Sequence, residues 1–150
     1  MEAVLSQDDV PSPNGLCFSP DQKTLYVISC APDPAQVGTK GQKVIYAFNM
    51  IGNRPKNRRV FCDMTHEEYH MTPDGMRADV FGNLWCGASG EFGMAGVFCY
   101  SPAGKLIGRI RLPFGCSNLT FGGPKRNELY MCCGTQMFRL LLETQGAGLS

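Results

Sequence analysis

Long apolar runs are missing from this sequence. No run approaches the ~20 apolar residues that a membrane-spanning helix needs. The first nine residues, Met1–Asp9, contain neither the basic start nor the apolar stretch of a signal peptide. For the chain as printed we therefore expect a cytoplasmic protein with no membrane partner.

An excess of charge of one sign is also missing. The 14 Lys and Arg residues nearly balance the 13 Asp and Glu residues, which leaves a formal net charge of +1 at pH 7. Binding to nucleic acid is dominated by clustered cations that face phosphates. The one basic cluster, between Arg54 and Arg59, is interrupted by Pro55 and Asn57. We interpret this cluster as a solvated turn and expect no nucleic-acid partner.

Metal-binding cysteine pairs are missing, although the sequence contains eight cysteines. No two of them have the C-x-x-C spacing of zinc sites, and the adjacent Cys132 and Cys133 would point to opposite faces of a strand. Most of the cysteines lie inside apolar, strand-like runs beside Phe, Trp, Tyr and Met. Buried free thiols are therefore favoured over a disulfide scaffold.

The sequence does contain many short apolar runs separated by turn residues. Its 18 glycines and 10 prolines are spread along the chain, and 43% of its residues are hydrophobic, which is enough to build a core. Short apolar runs between evenly spread turns are typical of strands rather than of long helices. The predicted fold class is all-β.

An internal repeat makes this prediction more specific. Three segments each combine a polar pair, a turn and a strand in which an aromatic residue follows Leu, and each predicts a β-hairpin. Further strand pairs lie between these hairpins, and two hairpins per unit are typical of the four-stranded blades of a β-propeller. The three units are Asn14-Gly15 with Thr24–Ile28, Asp74-Gly75 with Leu84–Cys86, and Ser117-Asn118 with Glu128–Cys132.

The repeat predicts a single partial β-propeller domain over residues 1–150, with about three four-stranded blades. We expect the blades at roughly 1–50, 51–100 and 101–145, followed by a frayed tail at 146–150. Each blade buries apolar surface only against its neighbours, so three blades leave one sheet face uncovered at each end. A fragment or truncated gene product that lacks its N-terminal half is favoured. The alternatives are a homodimer that completes the ring and a half ring with exposed faces.

The first strand of each propeller blade lines a central channel. The residues before the repeated glycine, Asn14 and Asp74, and less regularly Ser117, are therefore expected to point to one centre. Oxygen ligands from different blades suit a divalent cation, which keeps open positions for water and substrate. The alternative is that Asn or Asp before Gly forms a tight turn. The occurrence of both residues at the same repeat position favours the metal site.

These motifs resemble the gluconolactonase/regucalcin family. The resemblance rests on three stretches in the family's order: Pro13-Asn14-Gly15-Leu16, Pro73-Asp74-Gly75-Met76 with Gly82-Asn83-Leu84-Trp85, and Phe121-Gly122-Gly123-Pro124. It implies the C-terminal half of a six-bladed propeller that hydrolyses a small sugar lactone. It also implies a divalent metal ion as cofactor, with Ca²⁺, Zn²⁺ and Mn²⁺ as candidates.

The same resemblance implies roles for individual residues. Asn14 and Asp74 correspond to two metal ligands, and Asp74 also to the general base that takes a proton from the attacking water. Ser117 and Asn118 are candidate substrate-binding residues, with structural turn residues as the alternative. The family's glutamate ligand and its substrate-contacting Arg and Asn lie in a half that this sequence lacks, and Glu2 does not match their context.

Two other functions are open at this point. The first is divalent-metal binding without catalysis, because Ca²⁺ takes six to eight oxygen ligands and the sequence supplies two. The second is a zinc protease, because residues 66–70, His-Glu-Glu-Tyr-His, fit the H-E-x-x-H pattern. That pattern needs a sustained helix, whereas Pro73 disfavours helix at Thr72 and no apolar period extends the segment. An inter-blade loop is therefore the favoured interpretation of residues 66–70.

Overall fold

The computed structural model of the chain describes residues 1–31, 43–65, 70–91 and 93–148. Regular secondary structure over these ranges consists of β-strands, and none of it is a helix with the length and apolar character needed to cross a membrane. The strands are β1 (Pro13–Phe18), β2 (Thr24–Ser29), β3 (Val44–Ile51), β4 (Arg54–Asp63), β5 (Met71–Ala78), β6 (Leu84–Gly90), β7 (Gly96–Tyr100), β8 (Leu106–Arg111), β9 (Cys116–Gly122), β10 (Glu128–Cys133) and β11 (Gln136–Leu141).

The strands form three antiparallel sheets that follow one another along the chain. Strands β1 to β4 form blade 1, β5 to β8 form blade 2, and β9 to β11 form blade 3. Within each sheet consecutive strands pair as a meander, and the first strands β1, β5 and β9 lie side by side. This is the arrangement of consecutive propeller blades, so the predicted all-β partial propeller is confirmed.

The sheets differ from the prediction in two respects. They cover residues 13–63, 71–111 and 116–141, so each sheet begins at its inner strand, after the divisions predicted at residues 50 and 100. Blade 3 has three strands in the described part of the chain rather than four, because β11 pairs only with β10. The predicted divisions started from residue 1, whereas the segment before β1 adds no strand to blade 1.

The interface between blades 1 and 2 holds the largest apolar cluster. Strand β2 is buried from Leu25 to Ser29, so its alternate residues serve two different interfaces. Tyr26 and Ile28 face blade 2, where they join a cluster that includes Met76 and Leu84. Full burial of each side chain of this size contributes roughly 1.5–3 kcal/mol to folding.

A second apolar cluster joins blade 2 to blade 3. Trp85 of blade 2 meets Phe121 of blade 3 edge to face, with ring centroids 6.1 Å apart. The fully buried members of this cluster are Val97, Cys116, Leu119, Leu129, Met131 and Cys133. The alternate residues of β9 and β10 therefore point away from blade 2, onto the outer face of blade 3.

Residues 1–12 cover much of the outer face of blade 1, which was predicted to be uncovered. Val10 is buried and packs with Leu5 on a cluster that contains Leu25 and Val27. The guanidinium of Arg58 holds the segment in place, because it donates hydrogen bonds to the carbonyl oxygens of residues 8 and 9 at 3.2 and 2.7 Å. The outer face of blade 1, at one end of the half ring, is therefore partly covered by the N-terminal residues of the chain itself.

The C-terminal residues pack against the turn between β5 and β6. The amide of Ala147 donates to the carbonyl oxygen of Ala78 at 2.9 Å, and Asp79 forms an isolated β-bridge with Gly146. Fraying was predicted from residue 146, but residues 146–148 are held against this turn. Residues 149–150 lie outside the described part of the chain. Hydrogen bonds to the backbone of a distant turn hold these residues in place. The local amino-acid composition does not predict such partners.

All eight cysteines lie in described residues and are free thiols. Six are buried, as predicted, while Cys30 is half-buried and Cys132 is exposed. Burial raises the pKa of the Cys62 and Cys99 thiols to about 12, so they stay protonated at neutral pH. The buried cysteines act as small apolar core residues.

Candidate functional site

A register shift interrupts the inner hairpin of every blade at the same repeat position. In blade 1 the pairing of β1 shifts over residues 13–16, and in blade 2 the pairing of β5 shifts over residues 73–76. In blade 3, Ser117 of β9 is skipped in the pairing with β10. Such bulges turn a side chain out of the regular alternation and are frequent beside active sites. Asn14, Asp74 and Ser117 thus occupy equivalent irregular positions.

The repeated glycines allow the inner strands to approach one another closely. A Cβ atom on Gly15 would lie 2.0 Å from the carbonyl oxygen of Asp74, and one on Gly75 would lie 2.4 Å from Oδ1 of Asn118. Both glycines lie inside strands and neither has a positive φ. The tight-turn alternative is therefore wrong for these two positions, because Gly15 allows contact with the backbone of blade 2 and Gly75 allows contact with Asn118 of blade 3.

Gly15→Ala is expected to lower the free energy of unfolding by about 1–3 kcal/mol, because the new methyl group overlaps the Asp74 carbonyl and forces blades 1 and 2 apart. Urea unfolding followed by circular dichroism measures the change. Gly108→Ala in β8 is the matched control, since its Cβ would meet only the Cβ of Cys99 at 4.0 Å. Equal midpoints for the two variants would contradict the close-approach role of Gly15.

The amide of Asn14 is held between blades 1 and 2. Its Nδ2 donates to the carbonyl oxygen of Pro73 at 3.3 Å and contacts Sγ of Cys30 at 3.7 Å. The Cys30 thiol in turn donates to the same Pro73 oxygen at 3.4 Å. With Nδ2 engaged in this way, Oδ1 accepts no hydrogen bond from the described residues. Sequence reasoning missed the Cys30 contact, because nothing in the motif links β2 to this position.

Asp74 follows Pro73 directly and is half-buried. Its carboxylate accepts no hydrogen bond from any described residue, so both oxygens are open to another partner. An amide oxygen and a free carboxylate are the donor types that hard and borderline divalent cations accept, so Asn14 and Asp74 fit a cation. Within the described ranges no three His, Cys, Asp or Glu side chains group as metal ligands. Water or further protein groups would have to complete the coordination.

Ser117 and Asn118 lie inside strand β9 and are both exposed, so they are not turn residues. The Ser117 hydroxyl donates to the carbonyl oxygen of Cys132 at 3.2 Å. Oδ1 of Asn118 accepts from the amide of Leu119 at 2.9 Å, which leaves its Nδ2 group to donate. Asn118 also covers Gly75, so the pair lies beside the bulge that carries Asp74.

Of the H-E-x-x-H segment, only His70 lies in the described part of the chain. Residues 66–69 lie outside the described part of the chain. His70, the last residue of the pattern, is exposed and directly precedes β5.

A buried carboxylate that the sequence analysis did not single out lies in the turn after β5. Asp79 is fully buried, and its Oδ1 accepts from the amides of Phe81 and Asn83 at 3.0 and 2.9 Å. Its Oδ2 accepts from Asn83 Nδ2 at 2.8 Å, and from Trp85 Nε1 and Thr144 Oγ1 at 3.1 Å each. These partners fill the capacity of the carboxylate, so Asp79 has a structural role: it fixes the β5–β6 turn and the C-terminal segment.

Comparison with protein families agrees with this architecture. A model of the family described as "SMP-30/Gluconolactonase/LRE-like region" matches residues 1–135. Lactonohydrolase oryL of Aspergillus oryzae is 32% identical over 143 residues, which are 85% of this chain and 30% of that protein. The chain spans less than half the length of the curated relatives it matches.

Solved structures show the same likeness. A gluconolactonase from Xanthomonas campestris superposes with a TM-score of 0.63 at 34% identity, covering 87% of this chain and 37% of that one. A calcium-binding regucalcin from Agrobacterium tumefaciens has a TM-score of 0.67 at 23% identity, covering 93% and 48%, and shows likeness of fold.

Proposed function

Because this chain belongs to the SMP-30/gluconolactonase/LRE-like family, we propose that it forms part of a divalent-metal-dependent hydrolase of small sugar lactones. One observation carries the proposal beyond family membership. Asn14 and Asp74 lie at equivalent bulges of adjacent inner strands, and the Asn14 amide is hydrogen-bonded to the residue directly before Asp74.

Asn14 and Asp74 would hold the cation through Oδ1 and the carboxylate. When bound, a divalent cation, with Ca²⁺, Zn²⁺ and Mn²⁺ as candidates, polarises a lactone carbonyl and lowers the pKa of water. Asp74 accepts a proton from the attacking water, since neither oxygen of its carboxylate is engaged by a hydrogen bond from the described residues. Pro73 and Cys30 keep the Asn14 amide in one orientation.

Ser117 and Asn118 are proposed to bind the substrate. Both are exposed on the inner strand next to the one that carries Asp74. The Nδ2 group of Asn118 is a neutral donor, and the Ser117 hydroxyl, which donates its proton to Cys132, is a neutral acceptor. Both suit the hydroxyl groups of a sugar lactone. The lactone is thus the small-molecule partner in this proposal.

A second candidate function is metal binding without turnover. The number of ligands favours it, because Asn14 and Asp74 supply two protein oxygens where Ca²⁺ takes six to eight ligands. The calcium-binding regucalcin superposes on the same fold. With this second function the protein binds a cation weakly and does not hydrolyse a lactone.

The rest of the ring is proposed to come from the missing N-terminal half or from a second copy of the chain. The outer face of blade 3 supports further blades, since Met137 and Leu141 are 68% and 70% exposed there. Native mass spectrometry separates the two sources: a homodimer has twice the 16.4 kDa of one chain.

Calorimetry with Ca²⁺, Zn²⁺ and Mn²⁺, combined with a gluconolactone hydrolysis assay on the same preparation, tests the proposed function. We expect saturable binding of at least one cation, and a pH-indicator rate that disappears with EDTA and returns with that cation. Cation binding without hydrolysis, in monomer and dimer alike, would favour the binding module. Neither binding nor hydrolysis would reject both candidates.

A further inference from the structure

Two buried cysteines face each other across the inner hairpin of blade 3. Cys116 is the first residue of β9 and Cys133 is the last residue of β10, and the two are directly opposed in the strand pairing. Both side chains lie in the cluster between blades 2 and 3, where they are 0% and 1% exposed. The two thiols also form a hydrogen bond with each other. Two sulfur atoms are thus in contact at the open end of the hairpin.

The backbone at this pair suits a disulfide. Directly opposed residues of an antiparallel pair have Cα atoms about 4.5–5.5 Å apart, and disulfides join Cα atoms that are about 4.4–6.8 Å apart. The two strands therefore need little movement for the sulfur atoms to join. No other two cysteines oppose each other in the strand pairings of the described residues.

The surroundings of the pair leave no space for a bulky group. Gly87 of β6 lies against Cys116, and a Cβ atom on Gly87 would be 2.5 Å from the carbonyl oxygen of Cys116 and 3.1 Å from its Sγ. A bond between the two cysteines adds no atom to this interface, whereas a lasting adduct with a small thiol compound needs room that blade 2 occupies. An internal disulfide is therefore the modification that the interface accommodates.

We propose that Cys116 and Cys133 form a reversible disulfide that clamps the inner hairpin of blade 3, with a low-molecular-weight disulfide as the oxidant. The thiolate of one cysteine attacks a sulfur of the oxidant, which forms a mixed disulfide and releases one small thiolate. The second cysteine attacks the protein sulfur of the mixed disulfide, which closes the bond and releases the other small thiolate. The released thiolates take up the two protons that the cysteines lose, so two protein thiols are oxidised and one small disulfide is reduced.

Opening of the hairpin end controls this reaction. Burial raises the pKa of the Cys116 thiol to about 12 and also raises the pKa of Cys133, so both stay protonated in the closed hairpin at neutral pH. The thiolate is the attacking species, so the strand ends must separate and admit water and reagent before the bond forms. The pair lies at the end of the β9–β10 ladder, where local opening costs least.

The clamp lies beside the bulge that carries Ser117. Ser117 directly follows Cys116, and pairing resumes with Asn118 opposite Cys132. A covalent bond at this point prevents the end of the hairpin from separating at the bulge. The proposal is independent of the proposed function, because the clamp requires neither a cation nor a lactone.

Peptide mapping tests the cross-link. The 150-residue chain is incubated with oxidised glutathione, its remaining thiols are alkylated, and it is digested with trypsin without a reductant. Trypsin cleaves in the β9–β10 turn, so Cys116 falls on peptide 112–125 and Cys133 on peptide 127–139. We expect mass spectrometry to find these two peptides joined, and dithiothreitol to separate them. Absence of the joined pair, or glutathione retained on either cysteine as the final product, overturns the proposal.

Substitutions identify the second cysteine, because peptide 127–139 also contains Cys132. Cys133→Ser is expected to abolish the link, whereas the matched control Cys132→Ser, at the exposed neighbouring position, should keep it. Cys133→Ala replaces Cys133→Ser if the buried hydroxyl prevents folding. A link that survives the loss of Cys133, or that disappears in Cys132→Ser, overturns the proposal.

Urea unfolding measures the clamp itself. A cross-link between residues 116 and 133 restricts the unfolded chain, so oxidised Cys132→Ser should unfold at a urea midpoint about 1 M above that of its reduced form. Dithiothreitol should return the midpoint to the reduced value. The double variant Cys132→Ser with Cys133→Ser should show no change on oxidation. Equal midpoints before and after formation of the link would overturn the clamping role.

Discussion

Asp79→Ala is expected to lower the free energy of unfolding by about 4 kcal/mol. The substitution removes an acceptor that two backbone amides and three side-chain donors share, and each buried donor left without a partner costs about 1–3 kcal/mol. Entry of water into the vacated space recovers part of this cost. Urea unfolding followed by far-ultraviolet circular dichroism measures the change. Trp85 fluorescence is unsuitable as the only probe, because Asp79 contacts the indole directly.

Removal of the Asp79 carboxylate is also expected to release the C-terminal segment locally. Thr144 binds the Asp79 carboxylate, and Gly146 forms a bridge to its backbone. Hydrogen exchange at the amides of residues 146 and 147 should therefore accelerate in Asp79→Ala under native conditions. Asp21→Ala is the control, because Asp21 caps the β1–β2 turn but is exposed, and we expect a much smaller loss of unfolding free energy than in Asp79→Ala. Equal losses of unfolding free energy in Asp79→Ala and Asp21→Ala would contradict the role assigned to the burial of Asp79.

The hairpins of this fold were predictable because their signals are local. The turn between β1 and β2 is marked by Ser19-Pro20-Asp21, and the side chains of Ser19 and Asp21 accept hydrogen bonds from backbone amides of the turn. The same combination of polar pair, turn and strand recurs three times, and that recurrence indicates blades rather than isolated hairpins. The sheet order therefore follows from sequence.

The outer parts of the fold were not predictable in the same way. The cover that Val10 forms on blade 1 and the contact of Ala147 with Ala78 join residues whose local sequence shows neither partner. The composition of the C-terminal segment, rich in glycine, indicates flexibility when read alone. Its actual position depends on backbone groups of a turn more than sixty residues earlier in the chain.

The candidate site was also predictable only in part. Repetition alone aligned Asn14 with Asp74, and the structure brings their strands together through Gly15. The strand bulges and the contact of the Cys30 thiol with Asn14 were not predictable, because they depend on side-chain direction and on neighbouring blades, which no single motif encodes. The ligand and base roles of Asn14 and Asp74 stay predictions, and Asp74 is the sharper one to test.

Asp74→Asn is expected to reduce the rate of metal-dependent lactone hydrolysis by about 100- to 10,000-fold, the range associated with a general base. The amide keeps the shape of the side chain but cannot take a proton from water, and it removes a negative charge from the cation's surroundings. Initial rates with gluconolactone, in the form of the protein that shows activity, measure the effect with a pH indicator. Calorimetry on the same variant should show weaker cation binding.

Stability provides the internal check on Asp74→Asn. The Asp74 carboxylate accepts no hydrogen bond from the described residues, so the variant should unfold within about 0.5 kcal/mol of the wild type. Loss of activity together with a large loss of stability would instead assign Asp74 a structural role. Asp21→Asn makes the same chemical change in a turn at the far end of β1 and should leave the rate unchanged. A full rate in Asp74→Asn would reject both of its predicted roles, because neither a proton acceptor nor an anionic ligand would then be required at the bulge.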